Sequence, residues 1–213
     1  MNESHNESRS ESHTESQNEK QDMNFFSQLE SKFAEKIIAS NQIASNEIEI
    51  RIAAENLIDV VTTLKEDEGL DFDIMINVTA VDYMDSNFMS RPVTDRFDLV
   101  YNFLSIGKLN RLRIKVAVSE TQAEVQTLTG LYESANFMER EVWDMYGIKF
   151  KDHPDLRRIL MYDEFEGHPL RKDYPVQGKQ PRVPMRHPEV SNTARLMQRP
   201  ELVQIKKSTP RAS

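Results

Sequence analysis

The amino-acid sequence predicts an α+β fold: a mostly antiparallel sheet of about four strands, helices packed over one face, and an extended C-terminal tail. Four stretches alternate apolar and polar residues, which is the period-two pattern of strands with one buried face. Other stretches repeat apolar residues every three or four positions, which is typical of amphipathic helices. The last three strands follow one another by connections too short for helical crossovers, so we expect antiparallel pairing.

The four predicted strands cover residues 47–52, 72–80, 97–103 and 112–118. In each strand one alternating set of side chains is apolar and the other is mostly polar. We expect the apolar set to form the core face of the sheet. Its members are Ile48, Ile50, Ile52, Phe72, Ile74, Ile76, Val78, Ala80, Phe97, Leu99, Tyr101, Phe103, Leu112, Ile114, Val116 and Val118.

Two helices are predicted on either side of the first strand. The first begins at Phe25, and its apolar face consists of Phe26, Leu29, Phe33 and Ile37. The apolar stripe of the second consists of Ala54, Leu57, Ile58, Val61 and Leu64. Gly69 is expected to end the second helix or to lie in the turn that follows it.

Two further helices are predicted after the last strand. One covers Ala123–Ser134, with Val125, Leu128, Leu131, Tyr132 and Ala135 facing inward. A short helix then runs to Tyr146, with Asn136 as its N-cap. Glu139 lies at position N3, from which its side chain can bond back to the backbone N–H of the N-cap residue. Gly147 supplies the left-handed residue that stops a helix.

Composition divides the chain into four parts: a leader (1–24), a globular α+β domain (25–150), an irregular segment (151–176) and a basic, proline-rich tail (177–213). Residues 2–17 of the leader repeat NESH, NESR, SESH and TESQ without an apolar residue, so the leader cannot offset its ordering entropy and is expected to be disordered. The last 44 residues hold ten basic and three acidic side chains, whereas residues 25–169 hold 15 basic and 26 acidic ones. The tail is therefore either disordered or extended on an acidic partner.

Several function classes fit the composition poorly. The chain has no cysteine, so it cannot hold iron–sulfur clusters or zinc through its own thiolates. It contains no apolar run long enough to span a membrane and no secretory signal. Nucleic-acid binding by the tail is a third-ranked hypothesis, because the body is acidic and the tail has no aromatic residue after Tyr174.

From Glu139 to Pro175 the chain reads EREVWDMYGIKFKDHPDLRRILMYDEFEGHPLRKDYP. One hypothesis for this stretch is a metal or acid–base site built from Glu141, Asp144, His153 and His168. The spacing disfavours it, because neither histidine lies three or four residues from a carboxylate on a continuous helix. The stretch also lacks a nucleophile with an adjacent base and a glycine-rich phosphate loop.

Two other interpretations of the same stretch remain open. Trp143 and Tyr146 are three residues apart on a helix and fit core packing. Alternatively the stretch is an interface, since arginine, tryptophan and tyrosine anchor protein contacts. In that case Arg157 and Arg158 make bidentate contacts with carboxylates of a partner.

The stretch resembles the signature of the 30-kilodalton subunit family of respiratory complex I (the C subunit of NADH-quinone oxidoreductase), in its unfused bacterial form. That signature is close to E-R-E-x-x-D-φ-φ-G-φ-x-φ-x-x-H-P-x-φ-x-R-φ, where φ is apolar or aromatic, and GHPLRKDYP is also typical of the family. The resemblance covers roughly residues 25–176. It assigns family or partner-binding roles to Glu139, Arg140, Glu141, Asp144, Tyr146, Gly147, His153, Pro154, Arg157, Arg158, His168, Pro169, Arg171, Lys172, Asp173 and Tyr174.

The resemblance implies a non-catalytic structural subunit in the peripheral arm of a proton-pumping NADH:quinone oxidoreductase. Its expected partners are the 49-kilodalton D component near the quinone site and neighbouring iron–sulfur subunits. No cofactor is expected on this chain; FMN and iron–sulfur clusters belong to the partners, and NADH and quinone are substrates of the complex. The expected location is the cytoplasmic face of the bacterial inner membrane, peripheral through the complex. The alternative is the corresponding subunit of a membrane-bound hydrogenase-type complex.

Overall fold

A five-stranded mixed sheet, in the order β1-β2-β5-β4-β3, forms the centre of the structure. The strands are β1 (Ile37–Ala44), β2 (Glu47–Ile52), β3 (Ile74–Asp82), β4 (Phe97–Leu104) and β5 (Arg111–Val118). All neighbouring strands pair antiparallel except β2 and β5, which are parallel. The predicted α+β class and mostly antiparallel sheet are confirmed.

This structure is a computed structural model that describes residues 25–44, 46–84, 95–177 and 180. The predicted disordered leader (1–24) lies outside the described residues. So do most of the predicted tail (177–213) and most of the polar loop between β3 and β4. No helix within the described ranges is long and apolar enough to cross a membrane.

The sheet has one strand more than the sequence predicts. The additional strand is β1, with the sequence IIASNQIA, which has no apolar–polar alternation because both of its faces are largely exposed at the edge of the sheet. Ile37, which the helical pattern assigned to the first helix, is instead the first residue of β1. An edge strand that buries neither face leaves no period in the sequence by which to recognise it.

Three helices complete the hydrophobic core. They are α1 (25–33), α2 (Leu57–Glu66), which follows a short 3-10 turn at Ala54–Asn56, and α3 (Ala135–Tyr146). Their buried side chains join those of the sheet in a single cluster, which includes Leu29, Val61, Val142, Ile50 and Leu99. The predicted core faces of the first two helices are confirmed except for Ile37, which lies in β1, and Ala54, which lies in the 3-10 turn. Gly69 lies in the turn after α2.

The predicted helix over Ala123–Ser134 is wrong. The region contains strand β6 (Glu124–Gln126), which pairs in parallel with β7 (Lys149–Lys151), and then a series of turns. The apolar spacing was helical, but β-branched threonines and Gly130 interrupt it. Val125, Leu128, Tyr132 and Ala135 are buried all the same.

The helix α3 starts earlier than its predicted cap. Ser134 occupies the N-cap position without a capping side-chain bond, and its hydroxyl donates to the carbonyl of Met75 at 3.4 Å instead. Asn136 therefore lies inside the first turn, and Glu139 faces the core. The predicted stop is confirmed, because Gly147 has a left-handed φ of 80°.

A bulge in β3 reverses part of its predicted core face. The pairing with β4 shifts between Met75 and Asn77. Met75 is 2% exposed, whereas Ile76 is 44% exposed and Ile74 is also exposed. Alternation alone pointed both isoleucines inward; the extra residue of the bulge turns them outward while Val78 and Ala80 stay buried.

Met75→Ala is therefore expected to reduce the free energy of unfolding by about 2–3 kcal/mol, because it removes a buried side chain. Ile76→Ala, the matched control one residue away, should cost less than about 1 kcal/mol. Urea unfolding followed by circular dichroism measures both. Equal losses of unfolding free energy for the two variants would contradict the burial of Met75 and the exposure of Ile76.

Candidate functional site

The chain after β7 forms an irregular segment (residues 152–176) that lies against α3 without regular secondary structure. Such a segment cannot satisfy its backbone by helix or sheet bonds, so turns, neighbouring backbone groups and side chains provide the partners. Most of the family residues assigned from the sequence belong to α3 or to this segment. Their contacts show two places where the segment is attached to the globular domain.

The first attachment is centred on Asp144, which is fully buried in the last turns of α3. One carboxylate oxygen accepts the backbone N–H groups of Ile159, Leu160 and Met161 at 3.1, 2.9 and 2.9 Å. The other accepts from Arg158 Nη1 at 2.5 Å. Burial by itself would raise the pKa of Asp144, but these donors outweigh it and lower the pKa. The residue is therefore a buried anion in a nest of consecutive amides.

Arg158 is fully engaged within the chain. Besides Asp144, its guanidinium donates to the carbonyls of Phe165 and Gly167 at 2.9 and 3.1 Å. It also lies over the ring of Trp143, with 5.8 Å from Cζ to the ring centroid. The carboxylate that Arg158 binds thus belongs to its own chain, in contrast to the predicted contact with a partner. Only Arg157 of the pair is exposed, and it contacts the neighbouring Asp155.

Arg140 and His168 extend the attachment along α3. Arg140 donates to the carbonyls of Arg157 and Arg158 at 3.2 and 3.4 Å. His168 Nδ1 lies 3.0 Å from the carbonyl oxygen of Asp144. Its ring also packs directly on Gly147, where an added Cβ would lie 2.7 Å from the imidazole. Glycine at this position therefore permits both the left-handed turn and the close approach.

His153 is held at the opposite end of α3. Its Nδ1 accepts the N–H of Asp155 at 3.1 Å, and its Nε2 lies 3.2 Å from the carbonyl oxygen of Asn136. This pattern fits the tautomer with the proton on Nε2. The anchors of His153 and His168 on α3 are Asn136 and Gly147, about 16 Å apart along the axis at 1.5 Å per residue.

The proposed metal ligands are consequently not brought together. Glu141 is exposed, and the Asp144 carboxylate binds the amides of residues 159–161. His168 contacts the backbone carbonyl of Asp144 and not its carboxylate, and His153 lies at the other end of α3. Within residues 25–84 and 95–177, apart from the single undescribed residue 45, no three potential metal ligands form a group.

The second attachment is an ionic cluster at the end of β3. Asp82 accepts a bidentate pair of bonds from Arg96, at 3.0 and 2.8 Å, and the N–H of Lys172 at 2.8 Å. Arg96 also bonds Asp173 at 2.8 Å. Burial of Asp82 opposes its ionisation, yet the bonds from Arg96 and from backbone amides lower its pKa. The hydrogen bonds from Arg96 lower the pKa of Asp173 as well.

Arg171 and Glu120 complete this cluster. Arg171 donates to Glu120 at 2.8 Å, and Glu120 also contacts Arg96. The sequence pattern did not identify Arg96 or Glu120 as functional. Nothing local to Arg96 in the sequence shows that Asp173, 77 residues later, will lie beside it.

The remaining assigned residues are packing groups or exposed. Trp143 and Tyr146 are half-buried against the core, as core packing predicted. Tyr174 stacks on Phe165 with ring centroids 5.9 Å apart. Pro154 is exposed and Pro169 is half-buried.

Outward-facing side chains of the same region form an apolar strip, which we define as Phe137, Ile159, Leu160, Tyr162 and Leu170. Phe137 is 64% exposed and Leu160 is 57% exposed. The strip follows the seam between α3 and the irregular segment, because Arg140 and Asp144 bind the backbone of residues 157–161 along the helix. Asp144 and Arg158 thus face inward, whereas the apolar strip is exposed, as are charged side chains such as Arg157 and Glu166. Exposed apolar residues among polar ones are the arrangement of a contact surface.

Asp144→Asn is expected to lower the free energy of unfolding by about 3 kcal/mol at neutral pH, because it leaves Arg158 and a nest of amides without an anion. Asp155→Asn, which breaks only the exposed pair with Arg157, should leave the free energy of unfolding nearly unchanged. Because the folded state lowers the pKa of Asp144, its contribution exists above the ordinary aspartate value of about 4 and is lost as pH falls below it. Urea unfolding at pH 7 and pH 3 should show the difference between wild type and Asp144→Asn shrinking at pH 3; an undiminished difference would contradict the ionic role.

Gly147→Ala should destabilise the protein by about 1–3 kcal/mol, since alanine at a positive φ is strained and its Cβ would displace the His168 ring. Gly130→Ala is the matched control, because a Cβ there meets nothing within 4 Å. We also expect faster limited proteolysis within residues 157–170 of Gly147→Ala. Equal stability and equal cleavage rates for the two variants would rule out this close approach as a constraint.

Comparison with known proteins agrees with the motif. Residues 50–180 match the family described as "Respiratory-chain NADH dehydrogenase, 30 Kd subunit". The C subunit of NADH-quinone oxidoreductase from Geobacter sulfurreducens is 42% identical over 151 residues, which are 71% of this chain and 88% of that protein. The C subunit of the same enzyme from Rhizobium rhizogenes is 46% identical over 142 residues, 67% of either chain.

Among solved structures, a chain from the membrane-bound sulfane sulfur reductase (MBS), an archaeal respiratory membrane complex, matches with a TM-score of 0.61. The match covers 73% of this chain and 86% of that one at 22% identity, which shows a common fold. The match of the family to more than half of the chain, and the identity to the two bacterial subunits, settle its membership. The chain belongs to the 30 Kd subunit family of respiratory-chain NADH dehydrogenase.

Proposed function

We propose that this chain is a non-catalytic structural subunit in the peripheral arm of a proton-pumping NADH:quinone oxidoreductase. In this role the apolar strip docks on the D component near the quinone site. Electron transfer from NADH to quinone then belongs to the assembly, through FMN and iron–sulfur clusters on partner subunits. The chain is peripheral, reaching the cytoplasmic face of the bacterial inner membrane through its partners.

The observation that carries this proposal is that polar residues of the family motif bind the chain's own backbone, while apolar residues of the same region are exposed. Asp144, Arg158, His153 and His168 bind backbone groups of their own chain and are unavailable to substrates. What they leave on the outside is the apolar strip. A rigidly held backbone with exposed large apolar side chains suits a permanent protein contact, because little conformational entropy is lost on binding.

The names of the relatives support the identity of the complex. The bacterial proteins that are 42% and 46% identical are both named as the C subunit of NADH-quinone oxidoreductase. This favours an NADH:quinone oxidoreductase over a hydrogenase-type complex. The sulfane sulfur reductase, at 22% identity, contributes only a likeness of fold.

The double variant Phe137→Ser with Leu160→Ser should reduce the amount of assembled complex at least several-fold, because it removes the most exposed apolar side chains of the strip. The isolated protein should keep its circular dichroism spectrum and unfolding midpoint. Assembly is measured on native gels of detergent-solubilised membranes, and affinity capture of the protein reports whether the D component co-purifies.

The matched control is Ile106→Ser with Leu109→Ser in the turn between β4 and β5. These residues are 56% and 70% exposed, so the control removes as much exposed apolar surface elsewhere. It should assemble like the wild type. Arg157→Glu alone tests whether the exposed arginine contributes to docking. Arg158→Glu is not used, because it would break the bond to Asp144, and a loss of assembly could then come from misfolding. Normal assembly of the strip variant would overturn the docking role.

A further inference from the structure

Glu139 differs from every other buried acid in the described part of the chain. The buried aspartates Asp82, Asp98 and Asp144 each form an ion pair with an arginine, at distances of 2.8, 2.7 and 2.5 Å. Glu139 is equally buried, but no cation among the described residues pairs with it. Its carboxylate accepts only the N–H of Leu128, at 2.8 Å, and contacts the hydroxyl of Thr127, at 2.5 Å.

The described elements packed around Glu139 supply no compensating charge. On its own helix, Arg140 is turned toward the carbonyls of residues 157 and 158. From β4 the titratable group that faces it is Tyr101, whose buried hydroxyl has no hydrogen-bond partner among the described residues. From the turn after β6 come only the amide and hydroxyl already named. An unpaired buried carboxylate is unfavourable, and burial raises the pKa of Glu139 to about 7 despite its two donors.

A chain of hydroxyls connects this carboxyl group to the surface. Thr127 Oγ1 lies 3.0 Å from Thr129 Oγ1 and accepts the N–H of Thr129 at 3.2 Å. Thr127 is buried, whereas Thr129 is half-buried. Both line an open cavity of about 490 Å³, whose other walls include Gly130, Glu133 and Asn136. Two hydroxyl steps therefore lead from Glu139 to solvent.

The protonation state of Glu139 sets the direction of this chain. When the carboxyl is ionised, the Thr127 hydroxyl must donate to it. When the carboxyl is protonated, its O–H donates to Thr127 Oγ1, and the Thr127 hydroxyl is released to donate to Thr129. To load Glu139, Thr129 takes up a proton from the cavity and passes its own to Thr127, which passes its own to the carboxylate. The proton neutralises the carboxylate, and the hydrogen bond at each hydroxyl reverses.

We propose that Glu139 is a proton-binding site that exchanges with solvent through Thr127 and Thr129. The inference concerns the globular domain alone and does not depend on the partner to which the apolar strip binds.

The test is a pH titration of the full-length protein labelled with carboxyl-¹³C glutamate and followed by NMR from pH 5 to pH 9. We expect one glutamate resonance with a midpoint near pH 7, which disappears in Glu139→Gln. Thr127→Val removes the donor to the ionised form and should raise that midpoint by about one pH unit, a tenfold weaker ionisation. Thr127→Ser keeps the hydroxyl and should leave the midpoint within about 0.3 units.

Stability supplies a second measurement. Because folding raises the pKa of Glu139, the wild type should lose unfolding free energy relative to Glu139→Gln as pH rises from the ordinary glutamate value of about 4.3 to about 7, and the difference should then stay constant. If Glu139→Gln does not fold, the comparison of Thr127→Val with Thr127→Ser still decides. All glutamates titrating below pH 5.5, or equal midpoints for the two threonine variants, would overturn the proposal.

Discussion

The carboxylate of Asp144 is the contact on which the architecture of the family region depends. A chain of some 25 residues without helix or strand lies on the protein, and its backbone must find partners outside regular secondary structure. One buried anion satisfies three successive amides and orients Arg158, which then holds two carbonyls further along. Because the donors hold it ionised at neutral pH, the segment has one well-defined arrangement.

The ionic cluster at Asp82 fixes the other end of the same segment. Lys172 and Asp173 meet Asp82 and Arg96 beside the sheet, while His168 and Leu170 bind carbonyls near the end of α3. A polypeptide held at both ends and along its middle presents its outward side chains at fixed positions. This explains how an irregular segment displays an apolar strip: bonds from Arg140, Asp144 and Asp82 hold its backbone in place.

Sequence patterns predicted those parts of the fold that depend on residues close together in the chain. The alternation of Ile48, Ile50 and Ile52 reflects one buried strand face, and the glycine at residue 147 reflects the sterics of a helix end. The bulge at Met75 escaped prediction because it arises from the pairing of two strands, which no single strand encodes. The helix expected over residues 123–134 failed because helical spacing of buried residues also arises from turns that pack on a core.

The sequence motif identified the candidate region. It did not predict which of its side chains point inward and which are exposed. Arg157 and Arg158 are adjacent and chemically identical, and only the tertiary fold turns one outward and the other into Asp144. The role of Arg96 could not be predicted for the same reason, because its partners Asp82 and Asp173 are 14 and 77 residues away in the sequence.

The parallel pairing of β2 with β5 has a consequence for the newly made chain. The two strands are matched residue for residue from Glu47 with Arg111 to Ile52 with Val116, so about sixty residues separate each pair. During synthesis the β1–β2 hairpin leaves the ribosome long before the strand that covers its inner edge exists. Such distant pairing slows folding and leaves a bare strand edge exposed in the meantime. Nascent chains stalled before residue 111 should therefore be the form of this protein that most requires chaperones.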